Sequence, residues 1–216
     1  MRILSTALVT CLALCSQAQA VPILFDFDNA PLHSSLPLDL TVDGVTAHFS
    51  ATGQGFSIQQ ANTLGFTPVG FSGYSIYPNS VFAADLLVGF SQPLTDFSIL
   101  YAPEEYATDS SARMRVTAYM DGVLVGTNTT TADPPGTWPS ATLSFSSVQG
   151  FNSVVVHYDA PPPTGGDYGP IFMADNMTIT AATAVPEPST FTMLLLGLGL
   201  VSLVWGRKIS RVTPAN

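Results

Sequence analysis

Two adjacent glutamates and three histidines are the side chains of this sequence that could act as catalytic acids or bases. Glu104 and Glu105 are adjacent acids, and two carboxyl groups are what a glycosidase uses as its acid and its base. Neighbouring residues of a strand point to opposite faces, however, and this segment looks like a loop. Of the three histidines, His33 lies in a loop rich in proline and serine, whereas His48 and His157 lie on predicted strands beside apolar residues. We expect all three to be ordinary structural residues.

The motifs that would complete a catalytic site are missing from the sequence. It has no G-x-S-x-G nucleophile turn, no phosphate-binding loop and no H-E-x-x-H zinc motif. Its only cysteines, Cys11 and Cys15, fall in a terminal segment that we expect to be removed. No catalytic residue is therefore assigned, and we predict that the protein is not an enzyme.

The net charge restricts the class of partner. The chain has 216 residues and a formal net charge of −9, and residues 21–184 alone hold 14 acidic residues against Arg113 and Arg115, a net charge of −12. Such a surface repels polyanions, which argues against a nucleic-acid-binding protein. Neutral glycans, or partners bridged by cations, suit it better. With 46% hydrophobic residues the chain is also too apolar for an intrinsically disordered protein.

The amino terminus has the features of a secretory signal peptide at residues 1–20. Arg2 supplies a positive charge, an apolar run follows it, and Ala18 and Ala20 give the A-x-A pattern that signal peptidase cleaves. Cleavage there leaves a mature chain without cysteines, so its stability must come from its core and not from disulfides. Two alternatives stay open: a buried core helix, and a lipid anchor on Cys15, which is disfavoured because the residue before it is not small.

The carboxyl terminus combines a proline-containing motif, an apolar run and a basic cluster. Residues 191–206 would form a transmembrane helix of about 24 Å, at the short end for crossing a bilayer core of about 30 Å. The basic residues after the run form a stop-transfer cluster, which predicts a cytoplasmic carboxyl end and a domain outside the cytoplasm. That cluster is Arg207, Lys208 and Arg211, and the motif before the run is Val185, Pro186, Glu187, Pro188 and Ser189.

This order of features resembles the PEP-CTERM protein-sorting signal. Residues 185–211 would be the sorting and anchor segment, and residues 212–216 a short tail. The resemblance implies a Gram-negative bacterium, recognition by the membrane protease exosortase, and a link to exopolysaccharide production. It also implies a protein anchored in the inner membrane through its carboxyl-terminal helix, or processed and released to the cell surface or matrix. A simple tail anchor is the alternative.

Residues 21–184 show no helix pattern and are expected to form one all-β domain. Asp43-Gly44 and Asp121-Gly122 each separate two alternating runs, which predicts two-residue hairpin turns of type I′. Many short strands without crossover helices predict an antiparallel β-sandwich or jelly roll, with twelve of the thirteen phenylalanines available for its core. The predicted strands are 23–27, 38–42, 45–50, 55–60, 85–90, 95–101, 113–120, 123–130, 141–146, 153–158 and 171–180.

The domain more loosely resembles the jelly-roll domains of PEP-CTERM proteins and of carbohydrate-binding modules. The segments 25–27, 120–122 and 174–178 carry this resemblance. It implies an envelope or extracellular-matrix protein that binds carbohydrate, with exopolysaccharide as a partner; the alternative is an enzyme that acts on extracellular polysaccharide. Aromatic side chains near predicted turns either offer stacking surfaces to sugars or cap the core, and they are Tyr74, Tyr77, Tyr101, Tyr106, Trp138 and Tyr168.

The same resemblance implies a structural calcium ion that joins the first and last strands of the domain. Asp26 and Asp28 lie near the start of the domain and Asp175 near its end. Two residues apart on a strand, Asp26 and Asp28 would present both carboxylates to one face, and oxygen ligands are what Ca²⁺ prefers. Asn176 would point to the opposite face from Asp175, so we expect only one of the two to join the site. The alternative is that these acids are solvated strand ends and turn formers.

Overall fold

All regular structure in the described part of the chain is β-strand. The computed structural model describes residues 21–103, 113–132, 138–159 and 171–182. The strands within these ranges are β1 (Pro22–Phe25), β2 (Leu38–Val42), β3 (Val45–Ala51), β4 (Phe56–Gln60), β5 (Tyr74–Pro78), β6 (Leu86–Pro103), β7 (Arg113–Met120), β8 (Val123–Thr131), β9 (Ala141–Tyr158) and β10 (Phe172–Ala181). The all-β class predicted from the sequence is confirmed.

Neighbouring strands pair antiparallel throughout the described residues and form one continuous hydrogen-bonded sheet. The order along it is β4-β5-β10-β6-β9-β7-β8, with β1 added on β10 and the β2–β3 hairpin added on β6. β6 and β9 have 18 residues each, and the two halves of each strand belong to different parts of the sheet. Their mutual register shifts between Gly89 and Leu94 and again before Asp96. Bulges of this kind bend and twist strands, which lets the sheet fold over on itself.

Two layers result, which we name the first and the second layer. The first layer consists of β1, β4, β5 and β10 with the second half of β6 and the first half of β9. The second layer consists of β2, β3, β7 and β8 with the other halves of β6 and β9. Phe25 of the first layer and Phe49 of the second have ring centroids 6.3 Å apart and are buried in one core. The described strands therefore form a β-sandwich, and the jelly-roll connection stays a prediction.

Phenylalanine fills much of the core between the layers. Burying one such side chain stabilises the fold by about 1.5–3 kcal/mol, which suits a domain that has no disulfide to rely on. A smaller apolar cluster lies on the other side of the first layer and includes Trp138. The fully buried phenylalanines among the described residues are Phe25, Phe27, Phe49, Phe56, Phe97, Phe151 and Phe172.

The hairpin turns were predicted from the sequence more accurately than the strand ends. Both residues of each Asp-Gly turn have positive φ, 48° and 80° at Asp43-Gly44 and 50° and 79° at Asp121-Gly122, as type I′ requires. The strand predicted to reach residue 27 instead stops at Phe25. Four of the predicted strands are halves of the two long strands β6 and β9, and β5 has no counterpart in the prediction.

Candidate functional site

The acidic residues at the two ends of the domain come together at one corner of the first layer. β1 pairs with β10 as far as Phe25, and Asp26 and Asp28 follow in a turn. The prediction that a strand presents both carboxylates to one face is therefore wrong. Phe27 has a φ of 62°, so the chain turns there while the Phe27 ring stays in the core. Asp26 Oδ1 accepts a hydrogen bond of 3.2 Å from the Asp28 N–H, a contact that stabilises the turn.

Asp175 is the only acidic or basic side chain that is fully buried among the described residues. It lies on β10 beside a bulge, where the register with β6 shifts between Asp175 and Thr178 and Asn176 has a φ of 47°. Its Oδ1 accepts a hydrogen bond of 2.7 Å from the Asn176 N–H, and its Oδ2 accepts one of 3.1 Å from the Ser72 N–H. These two bonds hold the carboxyl group in one orientation.

The short segment 72–74 joins the two groups of acids. At one end the Ser72 N–H donates to Asp175, and at the other the Tyr74 N–H donates to Asp28 Oδ1 at 2.7 Å. Gly73 lies between them with a φ of 54°, and a Cβ at this position would stand 1.9 Å from Asp28 Oδ1. Only glycine suits both the backbone conformation and this close approach. Sequence reasoning missed this segment, because nothing local marks its glycine as different from the others in the loops.

Burial dominates the protonation of Asp175. It raises the pKa of Asp175 to about 7, because removal from water disfavours the charged form. The hydrogen bonds from the Ser72 and Asn176 amides oppose this rise, and the negative charges of Asp28 and Asp26 add to it. The three carboxylates are therefore close enough to interact, and Asp175 holds a proton more readily than an exposed aspartate does.

Neither arginine of the described residues lies at this corner. Arg113 Nε lies 3.7 Å from Asp159 Oδ2, and an Arg115 guanidinium nitrogen lies 3.2 Å from Asp159 Oδ1. These two residues are the only arginines between residues 21 and 184, which contain no lysine. Asp159 therefore has both basic partners, and Asp175 has none.

The corner suits calcium in the kind of ligand it offers but only partly in its geometry. Carboxylate and main-chain oxygens are the ligands Ca²⁺ prefers, and Asp26, Asp28 and Asp175 supply carboxylates with no basic neighbour. The hydroxyl of Ser75 is buried and has no hydrogen-bond partner among the described residues, one position along β5 from Ile76, which pairs with Ala174. Within the described ranges, however, no three His, Cys, Asp or Glu side chains are gathered so as to hold a metal ion.

Each of the three histidines has a side-chain partner. His33 Nδ1 lies 2.9 Å from Gln59 Oε1, and His48 Nδ1 lies 2.5 Å from Asp39 Oδ1. His157 stands between two carboxylates, with Nδ1 2.6 Å from Asp85 Oδ1 and Nε2 3.5 Å from Asp159 Oδ1. The sequence places His48 and His157 on strands correctly, but the aspartate partners depend on strand register and were missed.

The aromatic residues considered for sugar stacking are mostly part of the core. Tyr101 and Trp138 are buried, and the Tyr101 hydroxyl donates a 2.9 Å hydrogen bond to the Thr130 carbonyl. Burial also raises the pKa of Tyr101. Tyr74 and Tyr77 are half-buried on β5 and not in a loop. Glu104, Glu105, Tyr106 and Tyr168 lie outside the described residues.

The terminal segments also lie outside the described residues. They include the cleavage residues Ala18 and Ala20, the motif at 185–189 and the basic cluster that ends at Arg211. In the described part of the chain no helix is long and apolar enough to span a membrane.

A comparison with protein families identifies the carboxyl-terminal segment. Residues 184–208 match the PEP-CTERM protein-sorting motif. The match confirms the resemblance drawn from the sequence and includes residues 185–189 together with Arg207 and Lys208. Arg211 lies just beyond it. The PEP-CTERM motif implies processing of the chain as an exosortase substrate.

Solved structures similar to the domain include adhesin and carbohydrate-binding domains. The K1 cleaved adhesin domain of Lys-gingipain from Porphyromonas gingivalis W83 is 14% identical, with a TM-score of 0.43 over 76% of this chain and 99% of that one. A family 35 carbohydrate-binding module from Clostridium thermocellum is 15% identical, with a TM-score of 0.35 over 76% of this chain and 100% of that one. No curated protein sequence matches the chain.

Proposed function

We propose that the protein is exported, sorted by an exosortase, and active in the cell envelope or extracellular matrix. The observation that carries this proposal is the PEP-CTERM motif at residues 184–208. The apolar run and basic cluster that follow residues 185–189 support a membrane anchor with the domain outside the cytoplasm. In this scheme signal peptidase acts first, and the exosortase then releases the protein from the inner membrane to the cell surface or matrix.

Two variants test the sorting proposal. Deletion of residues 185–216 should move the protein from the membrane fraction to the soluble fraction. Replacement of Pro186, Glu187 and Pro188 by alanine should leave the anchor in place and block processing, so that the longer form accumulates on an immunoblot of the membranes. Thr213→Ala, outside the matched residues, is the control and should be processed normally. Processing of the triple variant at the same site and rate as the wild type would contradict the proposal.

We further propose that the domain binds neutral carbohydrate and does not catalyse a reaction. The charge of −12 on residues 21–184 supports a neutral ligand. Exposed polar pairs, such as His48 with Asp39 and Asn152 with Asp121, offer oriented donors and acceptors for sugar hydroxyls.

A glycan array combined with a hydrolase screen separates binding from catalysis. The exported protein should bind at least one neutral glycan on the array and should release no shorter product from it. Hydrolysis that a single carboxylate substitution abolishes would establish the competing function, an enzyme acting on extracellular polysaccharide.

We propose calcium as a structural cofactor at this corner, where Asp26, Asp28 and Asp175 would each offer carboxylate oxygens although the three side chains are not gathered around one point. The buried carboxyl of Asp175 and the lack of a basic neighbour support it, because a bound cation would offset the repulsion among the three carboxylates. Main-chain carbonyls and water would complete the six to eight oxygen ligands of Ca²⁺. When bound, the ion would stabilise the contact between the end of β1 and the bulge of β10.

Thermal unfolding of residues 21–184 with calcium and with chelator tests the cofactor. Calcium at 100 times its dissociation constant should add about 2.7 kcal/mol to the free energy of unfolding. Asp175→Asn and Asp26→Ala should abolish the response, and the exposed Asp43→Ala, a matched loss of one carboxylate elsewhere, should retain it. A midpoint that millimolar calcium leaves unchanged would contradict the proposal.

A further inference from the structure

The outward-facing side of the second layer carries polar groups at both ends, and Leu87 and Val155 lie between them. Cross-strand partners point to the same side of a sheet, so the pairs His48–Gly89 and Gly89–Ser153 place one row of residues on this side. The pairs Leu87–Val155 and Arg115–His157 place two further rows on the same side. We name this surface the outer face of the second layer.

At one end of the outer face, a shallow depression lies over Gly89. Its volume is about 450 Å³. A Cβ added to Gly89 would meet no atom within 4 Å, so the glycine leaves open space where neighbouring strand positions carry side chains. Glycine inside a strand often marks a place where a ligand approaches the backbone closely. The residues lining the depression are Asp39, Thr46, His48, Gly89, Phe90, Ser91 and Asn152.

The polar groups around the depression are already oriented by partners. His48 Nδ1 lies 2.5 Å from Asp39 Oδ1, and the two side chains are 56% and 65% exposed. The Asn152 side-chain amide donates to Asp121 Oδ1 at 2.7 Å. Each pair keeps hydrogen-bonding capacity directed to solvent, because neither partner uses all of its donors and acceptors.

The middle of the outer face holds two apolar side chains, and its far end is charged. Leu87 and Val155 are half-buried on adjacent strands next to the Gly89 row, with Ser50 and Thr117 on either side of them. Beyond them His157 stands between Asp85 and Asp159, and Asp159 also holds Arg115. The His157 row lies four positions further along β9 than the Ser153 row, a distance of about 13 Å along the strand.

We propose that the outer face binds an extended neutral polysaccharide, whose chain lies along β6 and β9. Sugar hydroxyls would bond to the polar groups at both ends, and the apolar face of a ring would pack on Leu87, Val155 and the open backbone at Gly89. This inference rests on the carbohydrate binding proposed above and gives it a location.

The charges on the outer face select a neutral chain over a polyanion. Asp39, Asp85 and Asp159 outnumber the two arginines, and both arginines already pair with Asp159. A polyanionic chain would therefore meet a slightly acidic surface on a domain of net charge −12 and would be repelled.

Binding of the full chain, solubilised from membranes in detergent, to neutral polysaccharides tests the proposal. The probes are immobilised glucan, mannan, xylan and galactan, with alginate as the polyanion. Gly89→Leu places a side chain in the depression, where its Cβ meets no described atom within 4 Å, and should weaken binding to the retained neutral probe at least tenfold. Thr142→Leu is the matched control, since it adds the same side chain at an exposed position on the first-layer half of β9. It should bind as the wild type does.

A second variant protects the test against misfolding. His48→Ala removes an exposed side chain at the rim and should also weaken binding, with an unfolding midpoint close to that of the wild type. If the wild type binds a neutral probe and both variants bind it equally well, the location is wrong, although the protein still binds carbohydrate. Retention on alginate alone overturns the choice of a neutral chain. If no probe is retained, the proposed carbohydrate binding fails and this inference fails with it.

Discussion

Asp159 and Asp175 are two carboxylates of the domain that lie in opposite environments. Asp159 is 16% exposed and lies within 3.7 Å of both arginines of the domain, and a histidine is also near it. Asp175 is fully buried and accepts hydrogen bonds from two backbone amides, with two further acids nearby. Two arginines lie beside Asp159, whereas burial opposes the charged form of Asp175. Both arginines of the domain therefore lie beside Asp159, and neither lies beside the buried carboxyl of Asp175.

The pH dependence of folding is the largest expected consequence of this difference. The pKa of Asp175 is about 7 in the folded state, against 3.8 for an ordinary aspartate. Between these values the folded chain holds a proton that the unfolded chain has lost, so stability should fall as pH rises from about 4 to about 7 and then level off. The loss cannot exceed about 4 kcal/mol, at about 1.4 kcal/mol per pH unit, and solvent screening reduces it.

Denaturant titrations in chelator across this pH range measure the effect. Asp175→Asn, which does not titrate, should flatten the curve, and Asp159→Asn should leave this particular slope in place. A slope that Asp175→Asn leaves unchanged would show that burial at this position does not control the pH dependence.

Gly73 offers a sharper test of how tightly the acidic corner is built. Gly73→Ala should destabilise the domain by about 2–3 kcal/mol, because alanine is strained at a φ of 54° and its Cβ would displace the Asp28 carboxylate from the Tyr74 amide. Gly44→Ala is the matched control, since its φ is also positive, at 80°, but nothing lies within 4 Å of the added Cβ. Its cost should be about 1 kcal/mol. Equal losses in the two variants, measured by urea unfolding, would show that Asp28 moves aside without penalty.

The charged cluster around Asp159 should give the smallest effect. Asp159→Asn removes the partner of Arg113 and Arg115, but both arginines are more than 40% exposed, so the loss should be about 1 kcal/mol or less. Measured by the same urea unfolding, the difference from wild type should shrink further in 1 M salt, where charges are screened. A loss as large as that for Gly73→Ala would mean that this cluster contributes more to the free energy of unfolding than exposed ion pairs do.

Local chemistry made the hairpins predictable from the sequence, and non-local contacts made the acidic corner hard to predict. Asp-Gly specifies its own turn, because two consecutive residues with positive φ suit few other pairs. By contrast, Phe27 adopts a φ that bulky residues rarely take, since its ring is held in the core by contacts distant in sequence. The assumption of a regular strand through Asp26 and Asp28 therefore failed.

The lengths of β6 and β9 and the aspartate partners of the histidines could not be predicted from the sequence for a related reason. Gly150 and the Ser91–Gln92–Pro93 segment look like breaks in the sequence, but β6 and β9 continue through them because bulges absorb the irregular residues. The partners of His157 follow from the register of β7, β9 and the start of β6, which alternation alone does not fix. Sequence alone therefore gave the strand positions of His48 and His157 without their aspartates, and the acids of the corner without the 72–74 segment.

The pairing of β10 with β6 has a mechanical consequence for a domain held by its carboxyl end. β10 lies antiparallel to β6 from Phe172 opposite Pro103 to Ala181 opposite Leu94. A pull on the carboxyl end of β10 acts along the strands when β6 is held at Pro103, the end of the ladder far from Ala181. The hydrogen bonds of this ladder are then sheared together and are not peeled apart one after another. A domain tethered beyond Ala181 would therefore resist flow or traction with the whole ladder, and its rupture force should exceed that of the same domain pulled at the β7–β8 hairpin.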